Sequence, residues 1–352
     1  MNTATETRDM NQPRQGAFDP VATWLLVICA MVFAMVVLGG VTRLTQSGLS
    51  MVDWHPVTGW LPPLTEAAWQ AAFDAYRQSP EYRHINAGMS LSGFQEIFWL
   101  EYLHRLFGRV IGIAFFVPFA WFLAKGRLNG PVRTKCVILF VLGGLQGVLG
   151  WYMVKSGLVD EPSVSQYRLA AHLSLALVIY LFALWTALDI LQPRYAVVPR
   201  AQARFVAWAT GLLGFIFLTV FSGALVAGLD AGLLYNTFPL MDGRLLPAEA
   251  FQLRPVYLNF FEDRATVQFD HRVLAMSTLC LVLAFWAAVR RSDAAPRLKQ
   301  GANFMAIAVL AQAGIGIATL LMVVPVALGA LHQAGAVVLL TSALWCLHQA
   351  RR

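Results

Sequence analysis

Continuous apolar runs recur along the chain, and the short segments between them hold most of its charges. A helix needs about 20 apolar residues to cross a hydrocarbon core of about 30 Å. The pattern predicts eight such spans, at residues 22–42, 100–124, 135–154, 169–191, 204–227, 269–289, 302–324 and 327–348. The runs do not alternate in hydrophobicity, which excludes a membrane β-barrel. The first run is too long for a cleaved leader, follows a polar tail at residues 1–21 and lacks a clear small-residue cleavage site. The expected architecture is an all-α polytopic membrane protein.

Composition agrees with the pattern. Of 352 residues, 58% are hydrophobic and only 13% charged, whereas a soluble domain carries roughly 25% charged residues. The net charge of +7 therefore reports membrane topology, not nucleic-acid binding. With the N-terminus inside, the tail, the loops near 125–135, 192–204 and 290–300 and the C-terminus hold 15 of the 26 basic residues and four of the 19 acids. That bias predicts cytoplasmic termini. The acids Glu6, Asp9 and Asp19 in the tail argue against a mitochondrial presequence and for a bacterial inner membrane. Cys29, Cys136, Cys280 and Cys346 all fall within or at the ends of spans, with no zinc spacing. They read as small buried hydrophobes.

The chain repeats itself. His104-Arg105 in span two recurs as His271-Arg272 in span six. Gln146-Gly147 and Gly150 in span three recur as Gln312-Ala313 and Gly316 in span seven, and His172 in span four recurs as His332 in span eight. The offset is nearly constant for the first two pairs and shortens for the third, where the second half has a shorter outer loop. Pro56, Gly59 and Pro62 in one long outer loop echo Pro239, Gly243 and Pro247 in the other. The expected organisation is a tail at 1–21, a first four-helix bundle at 22–191 with outer loop 43–99, a cytoplasmic linker at 192–203, and a second four-helix bundle at 204–349 with outer loop 228–268. An even number of spans per repeat implies a pseudo-two-fold axis along the membrane normal.

Four of the seven histidines carry the candidate chemistry. His55, His84 and His348 read as solvated or interfacial. His104, His172, His271 and His332 are each expected in the first two turns of a span that starts outside, at one depth. Ionisable groups inside spans are rare and face the bundle interior. Each half thus supplies two imidazoles and no thiolate or third ligand. Zinc wants three or four protein ligands, whereas heme iron needs only axial ones and its ring suits an apolar bundle. The helix N-termini would keep the imidazoles neutral and favour propionates, as would Arg105, Arg109 and Arg272. Gln146 and Gln312 read as interhelical hydrogen-bonders, and the glycines around them (Gly143, Gly144, Gly147, Gly150, Gly314, Gly316) as sites of close helix packing.

The halves differ at one position. Glu101 lies three residues before His104, on the same helix face, and Gln268 stands in the equivalent place before His271. A carboxylate beside a heme edge can move protons or stabilise a developing cation. One half then reads as an ordinary bis-histidine heme site and the other as a site of chemistry, with Glu101 reaching interfacial water. A diheme b-type cytochrome that only carries electrons is the alternative, but it does not account for Glu101 or the long outer loops.

From about residue 22 onward the chain resembles the heme A synthases, in the cysteine-free group that includes alphaproteobacterial and mitochondrial members. The resemblance rests on Gly40-Val41-Thr42-Arg43-Leu44-Thr45-Gln46-Ser47-Gly48-Leu49-Ser50, on Glu101-Tyr102-Leu103-His104-Arg105 with Gly108-Arg109, and on Gln146-Gly147 through Gly150-Trp151. It rests also on Ala227-Gly228-Leu229-Asp230-Ala231-Gly232, Tyr235-Asn236-Thr237-Phe238-Pro239-Leu240-Met241, His271-Arg272 and His332-Gln333. It implies an oxidoreductase that converts a ring methyl of heme O to a formyl group by successive hydroxylations, giving heme A for heme-copper oxidases. It implies heme B on His271 and His332, with Arg272 beside it, and a substrate heme flanked by His104 and His172 with Glu101 essential. Contact with the farnesyltransferase that makes heme O, and with cytochrome oxidase assembly factors, is an expectation that no motif carries. The electron donor is not named by any residue.

Overall fold

The computed structural model describes residues 19–52, 59–157, 164–192 and 200–352. The tail at 1–18, His55, Pro56 and most of the linker lie outside the described residues. Eleven α-helices are described: α1 Pro20–Leu44, α2 Glu66–Tyr76, α3 Pro80–His84, α4 Leu91–Ala124, α5 Gly130–Gly157, α6 Gln166–Leu191, α7 Arg200–Gly228, α8 Asn259–Glu262, α9 Arg264–Arg290, α10 Pro296–Leu321 and α11 Val326–Ala350. Eight of them (α1, α4, α5, α6, α7, α9, α10, α11) are long and apolar enough to cross a membrane.

Local chemistry sets the helix starts. Asp19 accepts from the backbone N–H groups of Val21 and Ala22 with Pro20 in the first turn, and Asp263 does the same for Ala265 and Thr266 at the head of α9. These are N-caps that satisfy otherwise orphaned donors. Ser90 caps α4 through Gly93 N–H, so this helix begins nine residues before the expected 100. The added turns stay helical because Phe94, Phe98 and Tyr102 continue the apolar stripe at i, i+4 and i+8 and are at most 6% exposed. They pack on Phe73 and Tyr76 of α2, with the Tyr76 and Phe94 rings stacked 5.1 Å apart. The first long loop is therefore a folded cap. Span seven ends at Leu321, not 324, because Val323 and Val324 take positive φ and turn the chain into α11.

Helices α1, α4, α5 and α6 pack in one ring and α7, α9, α10 and α11 in another, and α1, α6, α7 and α11 form the shared centre. The seam joins α1 to α11 and α6 to α7, which are equivalent pairs in the repeat. Trp24, Ile28, Leu177, Leu212, Phe285 and Leu340 belong to the single large apolar cluster that runs through both rings. The rings differ in closure: α9 packs along α10, whereas α4 and α5 touch at few positions. Arg43 donates to Ala227 O at 2.9 Å and pairs with Asp230 at 3.1 Å, tying the end of α1 to the end of α7. Near the opposite ends Lys135 meets Asp189 at 2.7 Å. Cys29, Cys136 and Cys346 are buried as expected, but Cys280 is exposed on the surface of α9.

Candidate functional site

His104 and His172 stand on α4 and α6 of the first ring, and His271 and His332 on α9 and α11 of the second. Each imidazole is seated against a glycine. A Cβ added at Gly39, Gly150, Gly223 or Gly316 would stand 3.2, 3.0, 3.1 or 2.6 Å from an atom of His104, His172, His271 or His332. Gly150 and Gly316 keep the spacing of Gln146 and Gln312, and Gly39 and Gly223 keep that of the equivalent ends of α1 and α7, so both pairs obey the internal repeat. The sequence reading did not single out Gly39 or Gly223; the repeat of α1 in α7 was the available signal. Of the glycines expected to mark close packing, Gly143, Gly144, Gly147 and Gly314 face open space. In that set only Gly150 and Gly316, beside imidazoles, are under steric pressure.

The His271 and His332 rings lie with centroids 6.5 Å apart and planes at 87°. With metal–imidazole bonds of about 2 Å, two rings on opposite sides of one metal ion have centroids roughly 6 Å apart. That spacing leaves room for one metal ion between the two rings of the second half. Among the described residues no group of three or more His, Cys, Asp or Glu could hold a metal ion. The glutamines act between helices: Gln146 donates to His172 O at 3.0 Å and Gln312 to His332 O at 2.9 Å. Each keeps a buried Oε1 with no hydrogen-bond partner among the described residues, the same orphan in both halves. Gly335 makes room for the Gln312 amide, since a Cβ there would collide with Oε1.

The four histidines lie deeper in their helices than a first turn. With α4 starting at Leu91, His104 lies more than three turns into its helix, and none of the four histidines is in a first turn. The helix macrodipole acts within about one turn, so it does not govern these rings. Glu101 is likewise inside α4 and is no helix-start acid. It is also only 2% exposed, contrary to the expected reach to water. Its carboxylate accepts from Ser50 Oγ at 2.6 Å and Met51 N–H at 2.8 Å, and pairs with Arg105 at 2.5 Å.

Both halves key these helices to the long loops at equivalent positions. Arg105 donates to Met51 O at 3.0 Å, and Arg272 donates to Tyr235 O and Thr237 O, each at 2.8 Å. Met51 and Tyr235 are separated along the chain by the same interval as Gly39 and Gly223. Gln268 donates to Tyr235 O at 2.9 Å, where Glu101 instead accepts from the N–H of Met51. Arg105 and Arg272 are thus loop anchors, and Arg109 lies over the Trp60 ring at 5.7 Å. Of the remaining histidines His84 is exposed. His348 is not interfacial: it is fully buried, edge-on to Trp185 at 5.2 Å and 3.4 Å from Asp189.

Residues 22–344 match the cytochrome oxidase assembly protein family. The chain is 52% identical to the heme A synthase of Nitrosospira multiformis over 95% of its own length and 94% of that protein's. It is 51% identical to the heme A synthase of Parvibaculum lavamentivorans, covering 94% of each, and 47% identical to that of Paramagnetospirillum magneticum, covering 100% and 99%. The chain belongs to the heme A synthase family. Motifs that marked the resemblance have physical roles here. Arg43 joins the halves, Asn236 donates to Leu320 O at 2.9 Å, and Gln333 on α11 donates to Val36 O on α1 at 2.9 Å.

Proposed function

We propose that this heme A synthase family member is a multi-pass membrane oxidoreductase that acts on heme O, with the two rings dividing the work. His104 and His172 of the first ring flank the substrate heme, and His271 and His332 of the second hold a heme B. The heme B, when bound, supplies one-electron transfer. The chain's own residues do the rest. The histidines bind and orient, and Arg272 fixes the loop over the cofactor side through Tyr235 and Thr237. Glu101 holds a negative charge, or a proton, beside the substrate ring while a methyl carbon is taken to the formyl level by two hydroxylations and loss of water.

One observation carries the division: the first half has a buried carboxylate, Glu101, at the position where the second half has the amide Gln268. An amide can bind but cannot exchange a proton near neutral pH, so only the first half has the group that such chemistry needs. The looser closure between α4 and α5 supports the same assignment, since a substrate must leave and a cofactor stays. The charge bias of the loops supports a bacterial inner membrane with both termini in the cytoplasm. The farnesyltransferase that makes heme O and oxidase assembly factors are the expected partners.

The test is the pigment content of purified variants. Replacing His271 or His332 should remove the low-spin heme B spectrum. Replacing His104 or His172 should leave heme B bound and abolish heme A formation. Equal loss of heme B in all four variants would overturn the division, and heme B as the sole pigment of an active membrane would favour the diheme electron carrier.

A further inference from the structure

His271 is held by a hydroxyl. Ser222 on α7 lies with Oγ 2.8 Å from His271 Nδ1. The same Oγ donates to Thr219 O at 2.8 Å. A serine hydroxyl has one hydrogen, and a carbonyl oxygen only accepts, so that hydrogen is committed to Thr219. Oγ can then only accept from the ring, which puts the imidazole proton on Nδ1 and leaves Nε2 with a bare lone pair. That tautomer is the one able to ligate a metal through Nε2.

The first half lacks this device. Gly223 faces His271 as Gly39 faces His104, and the residue before each is Ser222 in one case and Leu38 in the other. Leucine cannot accept a hydrogen bond. The rings are turned accordingly. From the Cβ position at Gly223 the nearest His271 atoms are Cε1 and Nδ1, at 3.1 and 3.6 Å. From that at Gly39 the nearest His104 atoms are Nε2 and Cδ2, at 3.2 and 3.7 Å. His271 turns its Cε1 corner to the neighbouring helix, and His104 its Nε2–Cδ2 edge.

We propose that Ser222 is a positioning residue that locks His271 in the ligating tautomer, and that the Ser222/Leu38 difference separates a half that retains its heme from a half that releases it. The inference rests on the assignment of heme B to the second half. A hydrogen bond to the distal nitrogen makes the imidazole a stronger donor, and losing such a partner costs about 10–100-fold in metal affinity.

The experiment uses the full-length purified protein and transfer of its heme B to excess apomyoglobin. Ser222→Ala should lose heme B at least about tenfold faster than wild type, with a raised midpoint potential and altered low-spin electron paramagnetic resonance g-values. Ser222→Thr, which restores the acceptor, should return all three readouts toward wild type. Leu38→Ala should change none of them. If Ser222→Ala yields no folded protein, Ser222→Cys replaces it, since sulfur is a weaker acceptor of similar shape, and the same direction is expected. Unchanged loss rate and potential in a wild-type background whose heme B depends on His271 would overturn this inference alone. Heme B that survives replacement of His271 would instead overturn the site assignment beneath it.

Discussion

Glu101 shows how much one side chain's surroundings decide. Its spacing from His104 was readable from the chain, but its burial and its three donors were not, because Ser50 and Met51 come from a loop about fifty positions away. Glu101→Gln should still accumulate heme O or a hydroxylated intermediate, with conversion down by at least about tenfold and heme B retained. The buried charge-assisted bonds to Arg105, Ser50 and Met51 add a cost of about 1–3 kcal/mol in stability, which thermal unfolding in detergent would register. Conversion at the wild-type rate would remove the chemical role. The glycines give a second residue-scale test. Gly316→Ala puts a methyl where His332 stands, so heme B occupancy should fall. Gly314→Ala, two residues away in open space, should leave it unchanged. Similar pigment yields from the two variants would contradict the seating of the ring.

At the level of elements, hydropathy found all eight spans because bilayer length is a strong constraint. It missed what hydropathy does not measure. Gln95 and Glu96 lower the apolar average ahead of residue 100, yet Ser90 and the Phe94, Phe98, Tyr102 stripe carry the helix back to Leu91. The Val323-Val324 turn is apolar throughout and reads as membrane. The folded cap on α4 has its own titration. Glu81 is 3% exposed, accepts from Tyr76 Oη at 3.1 Å, and is pushed up to about 7, first by burial and further by the Glu101 charge. The fold therefore holds a proton that an ordinary carboxylate loses near 4.5. Between these values the folded chain binds more protons than the unfolded one, so cap stability falls as pH rises toward 7 and then levels off. Limited proteolysis of the segment between α1 and α4 should speed up over that window. Glu81→Gln should flatten the dependence; a profile identical to wild type would exclude Glu81 as its source.

For the whole molecule, the repeat was legible from the histidine, glutamine and glycine offsets, whereas the exchange of roles at Met51 and Tyr235 required the loops to be placed on the helices. The seam between the rings carries a further asymmetry. Gln333 reaches Val36 O through the gap left by Gly40, where a Cβ would collide with its amide oxygen. Gln333 follows His332, and its counterpart after His172 is Leu173, which makes no such bond. A pair of identical halves would bury the same patch twice; here the Gln333 bond has no equivalent at Leu173. The seam should therefore hold the halves together without the polypeptide link, and the gene could be cut there. Fragments 1–196 and 197–352, produced as separate chains in one cell, should assemble as a mixed pair that copurifies and retains heme B. Gln333→Leu should weaken that recovery more than it weakens the uncut protein. Recovery of each fragment only with its own kind would show that the seam does not encode its own partner.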